Sequence, residues 1–373
     1  MSKIINKIDS IDHIAEHYGF KKAQTPVSYV SGNLSFHPEE KPSILKSHYS
    51  SILQNRSGKV TMLYHGEPLL KNKRIPFDEN FKKINLDIIG VHRSIAEATI
   101  IHTAIVALGE EGFKNTRVNI NSLGDKDSSD RFKEELFNFY RGNIEHIPPK
   151  CRNFTKNNIF DWFCCGHKEC SELKSEAPKP IYFLSDHSRR HLKSTLEILE
   201  SLGIVYQIDD TLISPQNHFS KIVFEIKGVR NKEDFLLGRG GRYDELAQKI
   251  TKKKFMPAVG VSLEFLRLKK DVVKPIYQNR PKFYFIQFGS EAKVRSLPII
   301  EKIRDAHIEV KQDLHIDKFT EQIQRAQKLA FPYLLILGQK EVAENTIIVK
   351  DLRAASQKTI EVEELLPYLK TLV

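Results

Sequence analysis

Residues that would mark several protein classes are scarce in this sequence: four cysteines, three methionines and one tryptophan in 373 residues. Four cysteines are too few for a secreted disulfide scaffold of this length, and all four fall in one stretch, at 151, 164, 165 and 170. Long apolar runs are also missing. No window approaches the roughly 18–20 uncharged apolar residues of a membrane-spanning helix, so no membrane partner is expected. The opening stretch, MSKIINKIDSIDHIAEHYGF, is charged throughout and lacks the apolar centre of a secretory leader. A cytoplasmic, reducing location is the resulting expectation. Neither an internal repeat nor a low-complexity tract is present, so repeat arrays and compositionally biased chains are excluded.

What is present is an ordinary globular mixture, with 40% hydrophobic and 28% charged residues. The length suits two domains at about 100–200 residues each. The formal net charge is +11, which favours polyanionic partners such as nucleic acid. All but one of these excess charges lie in residues 1–280.

Periodicity divides the chain further. Ile4, Ile5, Ile8, Ile11 and Ile14 recur at helical spacing, and Gly19 suits the helix end. Residues 34–80 are polar and broken by prolines, with one strand predicted near 60–64. A β-branched strand is expected at 84–90, then a helix at 95–110 that Ser94 would cap, with Glu97 completing a capping box. Strands are expected at 118–124, 205–208, 221–226 and 258–268, the last running on into a helix. Helices are expected at 130–141 and 186–202. Residues 142–180 read as an irregular, Cys-bearing insertion. From about 281, strands and helices alternate, which predicts an α/β layer with a mostly parallel sheet. The charged stretch KKDVVKPIYQNRPK at 269–282 reads as a linker.

The most specific segment is GRGGRYDEL at 238–246, followed by MPAVGVSLEFLRL at 256–268. Three glycines in four residues let a backbone come close to a ligand or to another strand. The pair of segments resembles motif 3 of class II aminoacyl-tRNA synthetases in its histidyl form. Other matches follow in the same chain order: Tyr18-Gly19-Phe20 with Thr25-Pro26, His37-Pro38-Glu39, residues 81–90, Ala96-Glu97-Ala98, Ile120 to Gly124, Leu202-Gly203-Ile204 and Val223-Phe224-Glu225. Ala330 to Tyr333 and Ile348 to Leu352 resemble the family's anticodon-binding domain. The resemblance implies an α+β chain: a class II antiparallel sheet of six or seven strands with flanking helices at 1–275, then an α/β anticodon-binding-like domain at 281–373. It also implies a homodimer, with the Tyr18 segment at its interface.

Against that pattern the charged groups of the site depart. In the motif 2 stretch Gly66 to Arg74, Lys71 stands where an Arg would grip the ATP α-phosphate, and Lys73 where a Glu is expected. Lysine keeps the charge but loses the planar fork that matches phosphate. Ser214 replaces the Arg of the histidine-specific loop, a group whose electrostatic contribution is often worth about 3 kcal/mol, and Lys221 replaces a Gly. Tyr29 and Lys83 replace a Glu and a Gln of the amino-acid pocket, while Asp87 keeps an acid. Glu264 replaces a Gly of motif 3; Arg267 remains. The vestigial pocket is thus Glu39, Asp87, Tyr29, Lys83, Gly240, Gly241, Arg242 and Glu264. Lys71, Lys73, Arg74, Lys82 and Lys83 make a basic stretch suited to RNA.

Cys151, Cys164, Cys165, His167 and Cys170 offer soft donors at short spacing. Any four suit tetrahedral structural zinc; the alternative is reduced thiols in an insertion. The expected function is a synthetase-like protein that has lost aminoacylation and binds tRNA or another RNA, needing no cofactor. One alternative is an active histidine–tRNA ligase, for which ATP and magnesium would be required. The other is a regulatory subunit of ATP phosphoribosyltransferase, a role for which the module at 281–373 is superfluous.

Overall fold

The computed structural model describes residues 10–23, 61–65, 81–152, 159–163, 165–213, 219–230, 233–266, 281–313 and 316–373. The chain forms two compact units: the larger takes in 23–200 and 204–268, the smaller 1–22, 201–203 and 269–373.

Strands of the larger unit are β1 (Thr61–His65), β2 (Phe81–Ile89), β3 (Thr116–Gly124), β4 (Tyr206–Ile208), β5 (Ser220–Arg230), β6 (Glu233–Arg242) and β7 (Ala258–Leu266). They lie in the order β1-β2-β7-β6-β5-β3-β4. Every pairing among them is antiparallel except the edge pair β3–β4, which is parallel. The one parallel pair follows from its connection, since a helix at Asp186–Ser201 lies between the two strands in sequence and returns the chain in the same direction.

The helix at Ile95–Glu110 packs on β2 and β7. Ile100, Ile101, Ala104 and Leu108 are completely buried. A helix this apolar on all sides has to be an interior one. The capping box expected at its start is replaced by another arrangement. Ser94 sits in helical backbone and makes no cap bond; its hydroxyl donates to the His191 carbonyl at 3.1 Å, and Glu97 is drawn into the interior. The next helix starts at Lys126, earlier than periodicity suggested, because Asp125 caps it by accepting from Ser128 N at 3.0 Å. The insertion is more ordered than its composition implied, with helices at Ile159–Phe163 and Lys168–Glu176. Phe132, Phe160, Trp162 and Phe163 form an aromatic cluster beneath them.

In the smaller unit β8 (Phe283–Gln287), β9 (Val310–Gln312), β10 (Tyr333–Leu337), β11 (Thr346–Asp351) and β12 (Ser356–Glu361) form a second sheet ordered β9-β8-β10-β11-β12. Its first two pairings are parallel and its last two antiparallel. The sheet is therefore mixed rather than mostly parallel: the short connection after Asp351 makes a hairpin into β12, whose polar sequence SQKTIE hid it. Tyr18 and Phe20 are each 1% exposed here. Burial, then Glu301, pushes the Tyr18 hydroxyl well above its usual range.

Candidate functional site

Alternation within β2 produces the site. Lys83, Asn85 and Asp87 are polar and buried, and Ile84, Leu86 and Ile88 between them are buried on the other face. A strand buried on both sides with polar residues on one of them has a hydrophilic floor to account for. Register carries that floor across the sheet. Asn85 lies opposite Ser262, Ser262 opposite Arg239, Arg239 opposite Glu225, Glu225 opposite Asn119, and Asn119 opposite Gln207. One polar row thus runs over β2, β7, β6, β5, β3 and β4.

Much of the row is paired within itself, although Asn119 Oδ1 is buried without a hydrogen-bond partner. Ser262 Oγ donates to Asn85 Oδ1. Arg239 Nε donates to Glu225 Oε1 at 2.9 Å, and Lys227 Nζ stands 3.6 Å from Glu225 Oε2. Asn119 donates to Asp209 Oδ2 at 3.1 Å. One rung away, Lys83 Nζ and Glu264 Oε1 are 2.8 Å apart, with side chains only 4% and 11% exposed. These two residues occupy directly opposed positions of β2 and β7. On the opposite rung Asp87 faces Gly260, and Tyr243 donates its hydroxyl to Asp87 Oδ1 at 2.6 Å. Burial, then Asp87, holds the Tyr243 phenol protonated.

The glycines of β6 serve close strand packing. A Cβ on Gly240 would fall 2.6 Å from the Gly260 carbonyl oxygen and 2.5 Å from Phe224 Cζ. One on Gly241 would fall 2.7 Å from the Ile222 carbonyl oxygen. Arg242, next in sequence, is fully buried and points into an ionic cluster. Its Nε donates to Glu97 Oε1 and its Nη2 to Glu97 Oε2, both at 2.7 Å, and its Nη1 to the Val91 carbonyl at 3.0 Å. His191 Nε2 meets Glu97 Oε1 at 2.6 Å. Burial works to raise the Glu97 carboxyl, but Arg242 and His191 outweigh it and hold the acid at about 2. Asp244 continues the cluster, accepting from Ala258 N at 2.9 Å and from Lys221 Nζ at 2.7 Å. Lys221 has a backbone φ of 57°, in the region where glycine is at ease.

Of the residues singled out from the sequence, Lys83, Asp87, Glu264, Gly240, Gly241 and Arg242 thus lie on β2, β6 and β7, three neighbouring strands. Lys82 is half-buried on β2, opposite Phe265. Tyr29, Glu39, Lys71, Lys73, Arg74, Cys164, Ser214 and Arg267 lie outside the described residues. Sequence reasoning missed the roles of Glu97, Tyr243 and the Arg239–Glu225 pair. For Glu97 a signal existed: one acid in an otherwise apolar run. In the insertion, Cys151, Cys165 and Cys170 lie with their sulfur atoms within 4.8 Å of one another, and His167 is beside them.

Residues 283–372 match the family of the anticodon binding domain. Over 349 residues the chain is 26% identical to the histidine–tRNA ligase of Bacillus licheniformis, covering 91% of this chain and 82% of that protein. It is 27% identical to the histidine–tRNA ligase of Bacillus subtilis, over 91% of this chain and 81% of the relative. Among solved structures, the apo histidyl-tRNA synthetase of S. aureus superposes with a TM-score of 0.53 at 19% identity, over 99% of both chains. That likeness establishes the fold.

Proposed function

We propose that this chain, a class II histidyl-tRNA synthetase-like protein with a C-terminal anticodon-binding domain, binds tRNA and no longer charges it with histidine. The observation that carries the reading is the Lys83–Glu264 ion pair at 2.8 Å. In the family pattern these positions hold an uncharged Gln and a Gly. Here two long charged side chains face each other across paired strands and neutralise each other. Space that a glycine would leave beside a substrate is taken up by the Glu264 side chain. Arg239 likewise spends its charge on Glu225. Among the described residues of this face, the cations are committed to acids of the chain rather than presented to a phosphate.

Binding of tRNA rests on the domain at 283–372 and on the basic excess of residues 1–280, with Lys71, Lys73, Arg74 and Lys82 as the nominated contacts; Lys83, nominated with them from the sequence, is buried against Glu264 and is not among them. A cytoplasmic homodimer belongs to the same reading and rests on the family resemblance; no described helix is long and apolar enough to cross a membrane. The competing reading, an active histidine–tRNA ligase using ATP and magnesium, is favoured by the names of the relatives. A phosphoribosyltransferase regulatory subunit is disfavoured by the anticodon-binding domain.

ATP–pyrophosphate exchange with histidine separates the first two. Exchange indistinguishable from the no-enzyme blank is expected, and robust histidine-dependent exchange would overturn the proposal. Filter binding with total tRNA across a salt series tests the other half. Affinity should fall steeply with salt as counterions are released, and no retention even at low salt would refute RNA binding.

A further inference from the structure

We infer that Cys151, Cys165, His167 and Cys170 form a structural zinc site that ties the insertion together. The four donors come from three separate pieces of chain. Cys151 ends a short 3-10 turn at Pro149–Cys151, Cys165 and His167 lie in the connection after the helix Ile159–Phe163, and Cys170 is in the first turn of the helix Lys168–Glu176. Sequence spacing alone did not select among the five candidates; among the described residues the fold brings three of the sulfurs together and sets His167 beside two of them.

The donor spacing suits a tetrahedral metal shell. Cys151 Sγ and Cys165 Sγ are 3.7 Å apart. Zinc–thiolate bonds of about 2.3 Å at a tetrahedral centre place two sulfur atoms about 3.8 Å apart. The same separation is far beyond a bonded disulfide at about 2.05 Å, and the three cysteines are free. His167 Nδ1 lies 3.1 Å from both Cys151 Sγ and Cys165 Sγ. A bound zinc would open those two distances to about 3.5 Å, a displacement of one imidazole ring. All three thiol sulfurs lie within 4.8 Å of one another, so a single ion reaches all three.

The surroundings suit a structural site rather than a catalytic one. Cys151 and Cys170 are buried, and the cluster they belong to includes Ile147, Trp162 and Ala177. Lys174 Nζ donates to the Cys165 carbonyl, placing a cation beside a centre that three thiolates would make negative. Three sulfurs and one nitrogen complete four-coordination, the closed arrangement of structural zinc. Without the ion, three short connections converge with only thiol and imidazole contacts to hold them. With it they are cross-linked, as small metal-bound modules are.

The test uses the full-length protein, purified under reducing conditions, incubated with zinc and passed over gel filtration. Metal analysis should give about one zinc per chain. Cobalt supplied in place of zinc should produce the thiolate-to-metal charge-transfer and d–d bands of tetrahedral cobalt, and neither readout depends on a variant folding. Cys151→Ser and Cys170→Ser should lose the metal, His167→Ala should weaken it, and Cys164→Ser should keep it. Wild-type protein that elutes essentially free of zinc, or Cys170→Ser protein that holds as much zinc as wild type, would overturn the site. Loss of metal on Cys164→Ser with retention on His167→Ala would overturn the assignment of the fourth ligand.

Discussion

Replacing Glu97 with glutamine should destabilise the larger unit more than any surface substitution. Glu97 and Arg242 are both 0% exposed and share two hydrogen bonds at 2.7 Å. The amide retains the shape but leaves the buried guanidinium with only Asp244, 3.4 Å from its Nη1, as counter-charge. Removing one partner of a buried ion pair costs about 3–5 kcal/mol. An independent route gives a similar size. The acid is held at about 2 against an ordinary 4.5, which converts to about 3 kcal/mol at roughly 1.4 kcal/mol per tenfold change. Because the folded-state value lies below the unfolded one, this stabilisation is complete above the ordinary carboxylate range. It is lost as pH falls from about 4.5 toward 2. Urea unfolding at pH 7, followed by the fluorescence of the sole tryptophan, Trp162, reports on the larger unit. Glu97→Gln should lower the midpoint by the equivalent of about 3–5 kcal/mol with little change in slope. It should also flatten the loss of stability seen in wild type at acid pH. The double replacement Glu97→Leu with Arg242→Met should cost less than the single glutamine change, because no charge is left stranded. A loss under about 1 kcal/mol, or an unchanged acid profile, would refute the placement of this pair as the anchor between helix and sheet.

Three further outcomes can be checked in the same assay. Glu264→Gly removes the acid 2.8 Å from the buried Lys83 ammonium and should cost about 3 kcal/mol, most of it recovered in Lys83→Gln with Glu264→Gly; neither variant should gain histidine-dependent pyrophosphate exchange. Gly240→Ala forces a methyl group to 2.6 Å from the Gly260 carbonyl oxygen and should cost about 1–3 kcal/mol, like other overpacked core positions. Tyr243→Phe removes the donor 2.6 Å from buried Asp87 and should cost about 1–3 kcal/mol, seen as a lower urea midpoint.

Local patterns made the scaffold legible. The apolar run at 95–110 and the β-branched strands announced themselves by periodicity, because burial selects for composition along a continuous stretch. The mixed order of the smaller sheet was not legible: whether Thr346–Asp351 runs with or against its neighbour is fixed by the hairpin to Ser356–Glu361, a strand exposed at all but Ile360. The capping box failed for a related reason. Ser94 and Glu97 have the right spacing for a local cap, yet Arg242, far along the chain, offers Glu97 two charge-assisted bonds that a backbone amide cannot match. Long-range partners override local motifs wherever the local bond is the weaker, and sequence spacing records only the local one. The same limit applied to the cysteines, where the fold and not the spacing shows that Cys151 meets Cys165 and Cys170.

The site adds a second argument about paired changes. Lys83 in place of Gln would by itself put an unbalanced cation on a nearly closed strand, and Glu264 in place of Gly an unbalanced anion. Each is a costly change alone, since burying an unpaired charge is unfavourable by several kcal/mol. Register makes them tolerable together, because β2 and β7 hold the two positions opposite each other. The two departures therefore act as one substitution. Along the sequence they are two separate exchanges, whereas across the sheet they form one cross-strand contact that closes its own charge balance. A site whose ionic demands are met from within has no further need of a charged ligand for its stability. The Glu264→Gly variant probes that balance directly, by removing the acid while unbalancing the charge.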